Sequence, residues 1–174
     1  MKYVILAGVA FIAFVFAGYL AAKVRANKQT TTQKTESEVI ENELSGSSEE
    51  ILGNDYLSVF RNGFDEVTVA FNIESDVPFA IGERMEKIDK RAYMNGPAWE
   101  GVLNYVMQHR CPELLKTINT DCEAGSYVAY FPDDEEGARD ARKLGELIIS
   151  LIDNEEKLYK IVREHADEIS WEDI

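Results

Sequence analysis

Nineteen consecutive residues, Val4 to Ala22 (VILAGVAFIAFVFAGYLAA), carry no charge. As a helix rising about 1.5 Å per residue the run would be roughly 28 Å long, close to the ~30 Å hydrocarbon core of a bilayer. Only Met1, Lys2 and Tyr3 precede it, and it is longer than the apolar stretch of an ordinary secretory signal. Ala22 and Ala26 offer small residues for cleavage, but Lys23 and Arg25 stand directly behind the run as a stop-transfer flank. The expectation is an uncleaved single-pass anchor within residues 1–26. Lys23, Arg25, Lys28 and Lys34 on its C-terminal side outnumber Lys2 and the terminal amine. That excess predicts a domain on the cytoplasmic side of the plasma (inner) membrane.

Behind the anchor the composition changes twice. Residues 27–50 are rich in Thr, Ser, Gln and Glu and hold too few apolar side chains to offset the entropy of ordering, which predicts a flexible tether. Residues 51–174 are long enough for one self-sufficient core. From Glu36 onward there are 32 acids and 13 bases, a net charge of −19. Phosphates would be repelled by such a surface, so nucleic acid is not the expected partner. A basic protein, a cation or simple solubility beside a membrane fits better.

Periodicity divides 51–174 into strands and helices. Tyr56, Leu57, Val59 and Phe60 lead into Asn62-Gly63, a dipeptide that supplies positive φ in a tight turn, and Val67, Val69 and Phe71 alternate after it. A helix is expected over Phe79 to Tyr93, with Ile81, Met85, Ile88 and Ala92 on one face. Asn95-Gly96-Pro97 breaks the chain. A second helix from about Ala98 carries Trp99, Val102, Leu103, Val106 and Met107. The segment KTINTDCEAGSYVAYF reads as a second hairpin turning at Glu123-Ala124-Gly125. Tyr127, Ala129 and Phe131 alternate there with Val128 and Tyr130; both sets are apolar, which predicts a strand covered on both faces. Asp133 or Asp134 caps a third helix, with Asp134, Glu135 and Glu136 favoured by its dipole and Ala138, Ala141, Leu144, Ile148, Leu151 and Ile152 as its stripe. Asp153-Asn154 turns into a last helix with Leu158, Ile161, Val162 and Ile169. The fold class is α+β: a small antiparallel sheet packed against several helices.

The residues do not assemble a catalytic signature. His109 and His165 are the only histidines, and His109 with Cys111 and Cys122 matches no zinc or thiol-dyad spacing. Two reduced, partly buried thiols are expected. The run Asp133-Asp134-Glu135-Glu136 lacks the alternating oxygen ligands and central glycine of a calcium loop, and helix capping accounts for it. Asp121 and Glu123 could form a carboxylate pair, but turn formation explains them as well. Trp99 is expected in the core; Trp171, in the tail SWEDI, is expected on the surface, free to meet a partner. No cofactor, metal or catalytic residue is expected, and the chain reads as something other than an enzyme.

The middle of the chain resembles the immunity protein 51 family of bacterial polymorphic toxin systems. The resemblance rests on Asn95, Gly96 and Trp99 in an N-G-x-x-W segment before a helix, and on Asp121, Glu123, Ala124 and Gly125 followed by Tyr127 in a D-x-E-A-G hairpin. It spans about residues 56–165; Pro97 departs from the more usual aromatic or polar residue. The apolar anchor is a second departure, not expected of the family generally. The resemblance implies a protein that neutralises a cognate toxin by binding it; the anchor adds a membrane tether, and the charge of −19 suits a basic toxin. The motif positions read as determinants of the fold and do not reveal which residues touch the toxin. A different expectation from the same anchor and acidic domain is a bitopic accessory protein that docks onto a membrane complex.

Overall fold

The computed structural model describes residues 49–63 and 65–171. The expected anchor, its orientation and nearly all of the tether lie outside the described residues. Among those described, no helix is long and apolar enough to cross a membrane.

Five strands form one antiparallel sheet in the order β1-β2-β3-β5-β4: β1 is Glu49–Gly53, β2 Leu57–Arg61, β3 Glu66–Asn72, β4 Asn119–Thr120 and β5 Ser126–Pro132. Between β3 and β4 come α1 (Asp76–Ile88), α2 (Gly96–Arg110) and a short 3-10 turn (Leu114–Lys116); α3 (Glu135–Ile152) and α4 (Glu155–His165) follow β5. The hairpin expected at Asn62-Gly63 is β2–β3, with Val59 opposite Val69. Its connection runs over residues 62–65, longer than a two-residue Asn-Gly turn, with positive φ at Gly63 and Asp65. β1 takes Glu49 and Glu50 from the segment read as tether and pairs with β2 through a bulge between Glu50 and Leu52.

Alternation decides what the sheet buries. Leu57, Val59, Val67, Val69, Phe71, Tyr127, Ala129 and Phe131 point to one face and are buried there under the helices. From α3 come Ala141, Leu144, Ile148 and Leu151. α3 lies close against the sheet at Gly145, where a Cβ would stand 2.8 Å from Val59 Cγ2. α4 adds Leu158 and Val162, and α1 packs on α4, joined at the surface by the Arg84–Glu155 ion pair (2.8 Å).

Three expectations are corrected here. Among the described residues β5 is not covered on both faces, since Val128 and Tyr130 are only half-buried opposite Tyr127, Ala129 and Phe131. The first helix stops at Ile88 and does not reach Tyr93. Asp89 turns extended (φ −139°, ψ 127°) and its carboxylate accepts the Arg91 N–H (2.9 Å), so Ala92 is buried from a turn. The same helix begins earlier than expected, at Asp76, because Pro78 lies in its first turn, where a missing N–H loses no intrahelical bond. The acidic run behaves as capping predicts: Asp134 accepts the Gly137 N–H (2.7 Å), and Glu135 and Glu136 occupy the first turn of α3. Asp133 pairs instead with Arg61.

Candidate functional site

The two motif segments lie far apart in sequence and meet in the fold. Asn95 is the N-cap of α2: its side-chain oxygen accepts the Ala98 N–H at 2.9 Å. Such a cap is worth ~1 kcal/mol, so Asn95→Ala is expected to lower the unfolding free energy by about that much, measurable by denaturant titration. The next residue, Gly96, donates its N–H to the Glu123 carbonyl (3.0 Å), which seats the start of α2 on the β4–β5 hairpin. A Cβ on Gly96 would lie 2.0 Å from the Glu123 carbonyl oxygen and 2.4 Å from that of Ser126. The hairpin closes through Glu123 N–H to Ser126 O (3.0 Å), and the Gly125 carbonyl accepts the Ile73 N–H (3.1 Å) beyond β3. Neither Gly96 nor Gly125 has positive φ. Gly96 is needed for close backbone approach; at Gly125 a Cβ would first meet the flexible Glu74 side chain, at 2.9 Å.

Behind this contact Trp99 is fully buried, its ring edge-on to Phe71 with centroids 5.0 Å apart at 90°. Tyr127 is fully buried beside it in the same core, and burial pushes its phenol up. Among the described residues, Trp99 Nε1 and the Tyr127 hydroxyl are buried without hydrogen-bond partners. One turn of α2 also ties the helix to β4, where the Thr120 hydroxyl donates to the Glu100 carboxylate. Cys122 is half-buried on the same side; burial first, then the nearby Glu100 charge, push its thiol up to about 12. Thiolate is the reactive form, so alkylation of Cys122 at pH 8 is expected to run on the order of a thousandfold slower than that of a free cysteine. Mass spectrometry after timed iodoacetamide exposure checks this.

The remaining candidates are scattered. Cys111 is buried at the end of α2 and Cys122 half-buried near β4, both as free thiols. His109 is exposed, its Nδ1 2.8 Å from the Tyr105 carbonyl, while His165 pairs with Glu168 at 2.8 Å. The two imidazoles lie against the same Tyr105 ring. Among the described residues no group of three or more His, Cys, Asp or Glu side chains could hold a metal ion. Asp121 and Glu123 are both exposed on the hairpin. Trp171 corrects the expectation of a free surface anchor: it is half-buried against the core and donates its indole N–H to the Ala166 carbonyl (2.8 Å). A shallow depression of about 390 Å³ at the α3–α4 junction, lined by Glu146, Ile149, Ser150, Asp153, Asn154 and Lys157, brings together no histidine or cysteine.

The motif residues are therefore one junction, in which the first turn of α2 locks onto the β4–β5 hairpin at one end of the sheet. Sequence reading missed Glu100 and its link to Thr120. The link depends on how α2 lies over β4, and no local pattern reports that. No curated protein and no solved structure matches the chain. The family model for immunity protein 51 matches residues 58–167, well over half of the 174-residue chain and from β2 to just beyond α4. The match takes in both motif segments and the junction they form, and the chain belongs to the immunity protein 51 family, whose partners are cognate toxins of polymorphic toxin systems.

Proposed function

We propose that this chain neutralises one cognate toxin by direct binding, without catalysis, from a membrane tether formed by residues 4–22. The observation that carries the binding role is the family match over residues 58–167. Charge supports it: a domain at −19 from Glu36 onward suits a basic target and speeds encounter with it. The tether rests on the uncharged apolar run, and the cytoplasmic placement of the domain on the bases behind that run.

Coexpression of the full chain with the toxin domain encoded beside it tests the function. Protection of the cell and co-purification of the pair are expected, and failure of both would refute the binding role. A reporter active only outside the cytoplasm, fused after Ile174, should stay silent; activity would reverse the proposed orientation.

A further inference from the structure

The sheet has a second face, opposite the helices. Strand register places Glu50, Phe60, Thr68, Tyr130 and Asn119 in one row across all five strands on that face. Ser58, Ala70 and Val128 form the next row. Phe60, Ala70, Val128 and Tyr130 are half-buried although no helix among the described residues lies over them. Such an apolar strip, with two aromatic rings flanking the buried Thr68, is what a desolvated binding centre is made of.

Charge around the strip has one sign. Glu50 and Glu66 stand on the face itself, and Asp121 and Glu123 on the hairpin beside it, all four exposed. The Tyr130 phenol is pushed up by burial and then by the charges of Asp121, Glu66 and Glu123. Of the 13 bases from Glu49 onward, 12 lie on helices and connecting segments. The one base in the strands, Arg61, alternates to the helix side and is held by Asp133 and by Glu49 (3.5 Å). The open face is thus apolar at its centre, acidic at its rim and free of bases among the described residues.

We infer that this open sheet face, centred on Phe60 and Tyr130, is where a basic toxin domain docks. Aromatic anchors supply affinity at the centre, and the acidic rim sets encounter rate and selects for a cationic surface. The inference rests on the binding role proposed above, and its test separates the two. The helix layer also exposes apolar side chains, Val77 and Phe79 (52% and 55% exposed), but its surface carries bases as well as acids and lacks this pattern.

The full chain and the toxin domain encoded beside it are used throughout. Tyr130→Ala is expected to weaken binding by roughly 30-fold or more, the range of an interface anchor. The double variant Glu66→Lys, Asp121→Lys touches only exposed carboxylates and should melt like wild type, yet weaken binding by about tenfold or more and flatten its salt dependence. Val77→Ser with Phe79→Ser should bind normally. A photo-crosslinker at position 58 should capture the toxin. If wild type protects and the charge reversal binds as tightly as wild type, the docking face is wrong while the binding role stands. Capture of a second copy, or of residues 1–48 of the same chain, likewise overturns the assignment. If wild type itself neither binds nor protects, the binding role has failed first.

Discussion

Gly96→Ala is expected to cost roughly 3 kcal/mol or more and lower the melting temperature by more than about 10 °C, a large share of the 5–15 kcal/mol that holds a domain of this size together. The new methyl carbon would stand 2.0 Å from one carbonyl oxygen and 2.4 Å from another. Both oxygens belong to a hairpin that is itself hydrogen-bonded across Glu123 and Ser126, so neither can retreat without opening a turn. Moving α2 instead would break the Gly96–Glu123 backbone bond and shift Trp99 out of its packing. Gly53→Ala is the matched control. Its Cβ would meet the Glu50 carboxylate at 2.9 Å, the free end of an exposed side chain, and should cost less than about 1 kcal/mol. A Gly96→Ala protein melting within 2 or 3 °C of wild type, about the shift of a single kcal/mol, would show that the helix does not sit this closely on the hairpin.

The same junction shows what was legible in the sequence. Local signals worked where the chain decides locally: Asn62-Gly63 announced the β2–β3 hairpin, the 3.6-residue stripes announced α2 and α3, and Asp134 announced its cap. They failed where a partner decides. β1 (EEILG) offers only Ile51 and Leu52 as apolar residues and becomes a strand because β2 presents an edge to it. Ala92 continues the spacing of a helix that ends at Ile88, since burial from a turn gives the same pattern as burial from a helix. Trp171 looked like a free aromatic because the Ala166 carbonyl that takes its N–H is fixed only once the last helix ends.

β5 is the most instructive difference. Its two apolar sets predicted cover on both faces, and the described helices cover one. The excess apolar character of Val128 and Tyr130 is therefore not needed to bury the core. Read with Phe60 across the sheet, it marks a surface kept apolar for something other than folding, which is the physical ground for placing the toxin there. Of the motif positions, none but the hairpin acids Asp121 and Glu123 borders that face; Trp99 and Tyr127 point into the core under the helices. Recognition of the family thus came from residues that build the scaffold, and the binding surface has to be read from the fold.

Trp99→Ala is the second large effect, an expected loss of ~3–5 kcal/mol, because a fully buried indole leaves a cavity the helix layer can only partly close. The loss includes the edge-to-face contact with Phe71. Its companion, Tyr127→Phe, should go the other way. The Tyr127 hydroxyl is buried without a partner among the described residues, and a buried unpaired hydroxyl is a cost of about 1–3 kcal/mol that phenylalanine does not carry. Nearly the same ring then fills the site, so Tyr127→Phe is expected to be neutral or stabilising by about 1 kcal/mol. Chemical denaturation of the three proteins decides the matter. A destabilised Tyr127→Phe would mean that the hydroxyl is bonded in solution, and the test of the Glu100 carboxylate, whose charge after burial raises the phenol, as its acceptor is the Glu100→Gln variant. The junction would then be a closed polar network, and Glu100→Gln should reproduce the loss. If Tyr127→Phe is neutral, the aromatic pair holds α2 to the sheet by packing alone, and substitutions on the open face can be interpreted without reference to it.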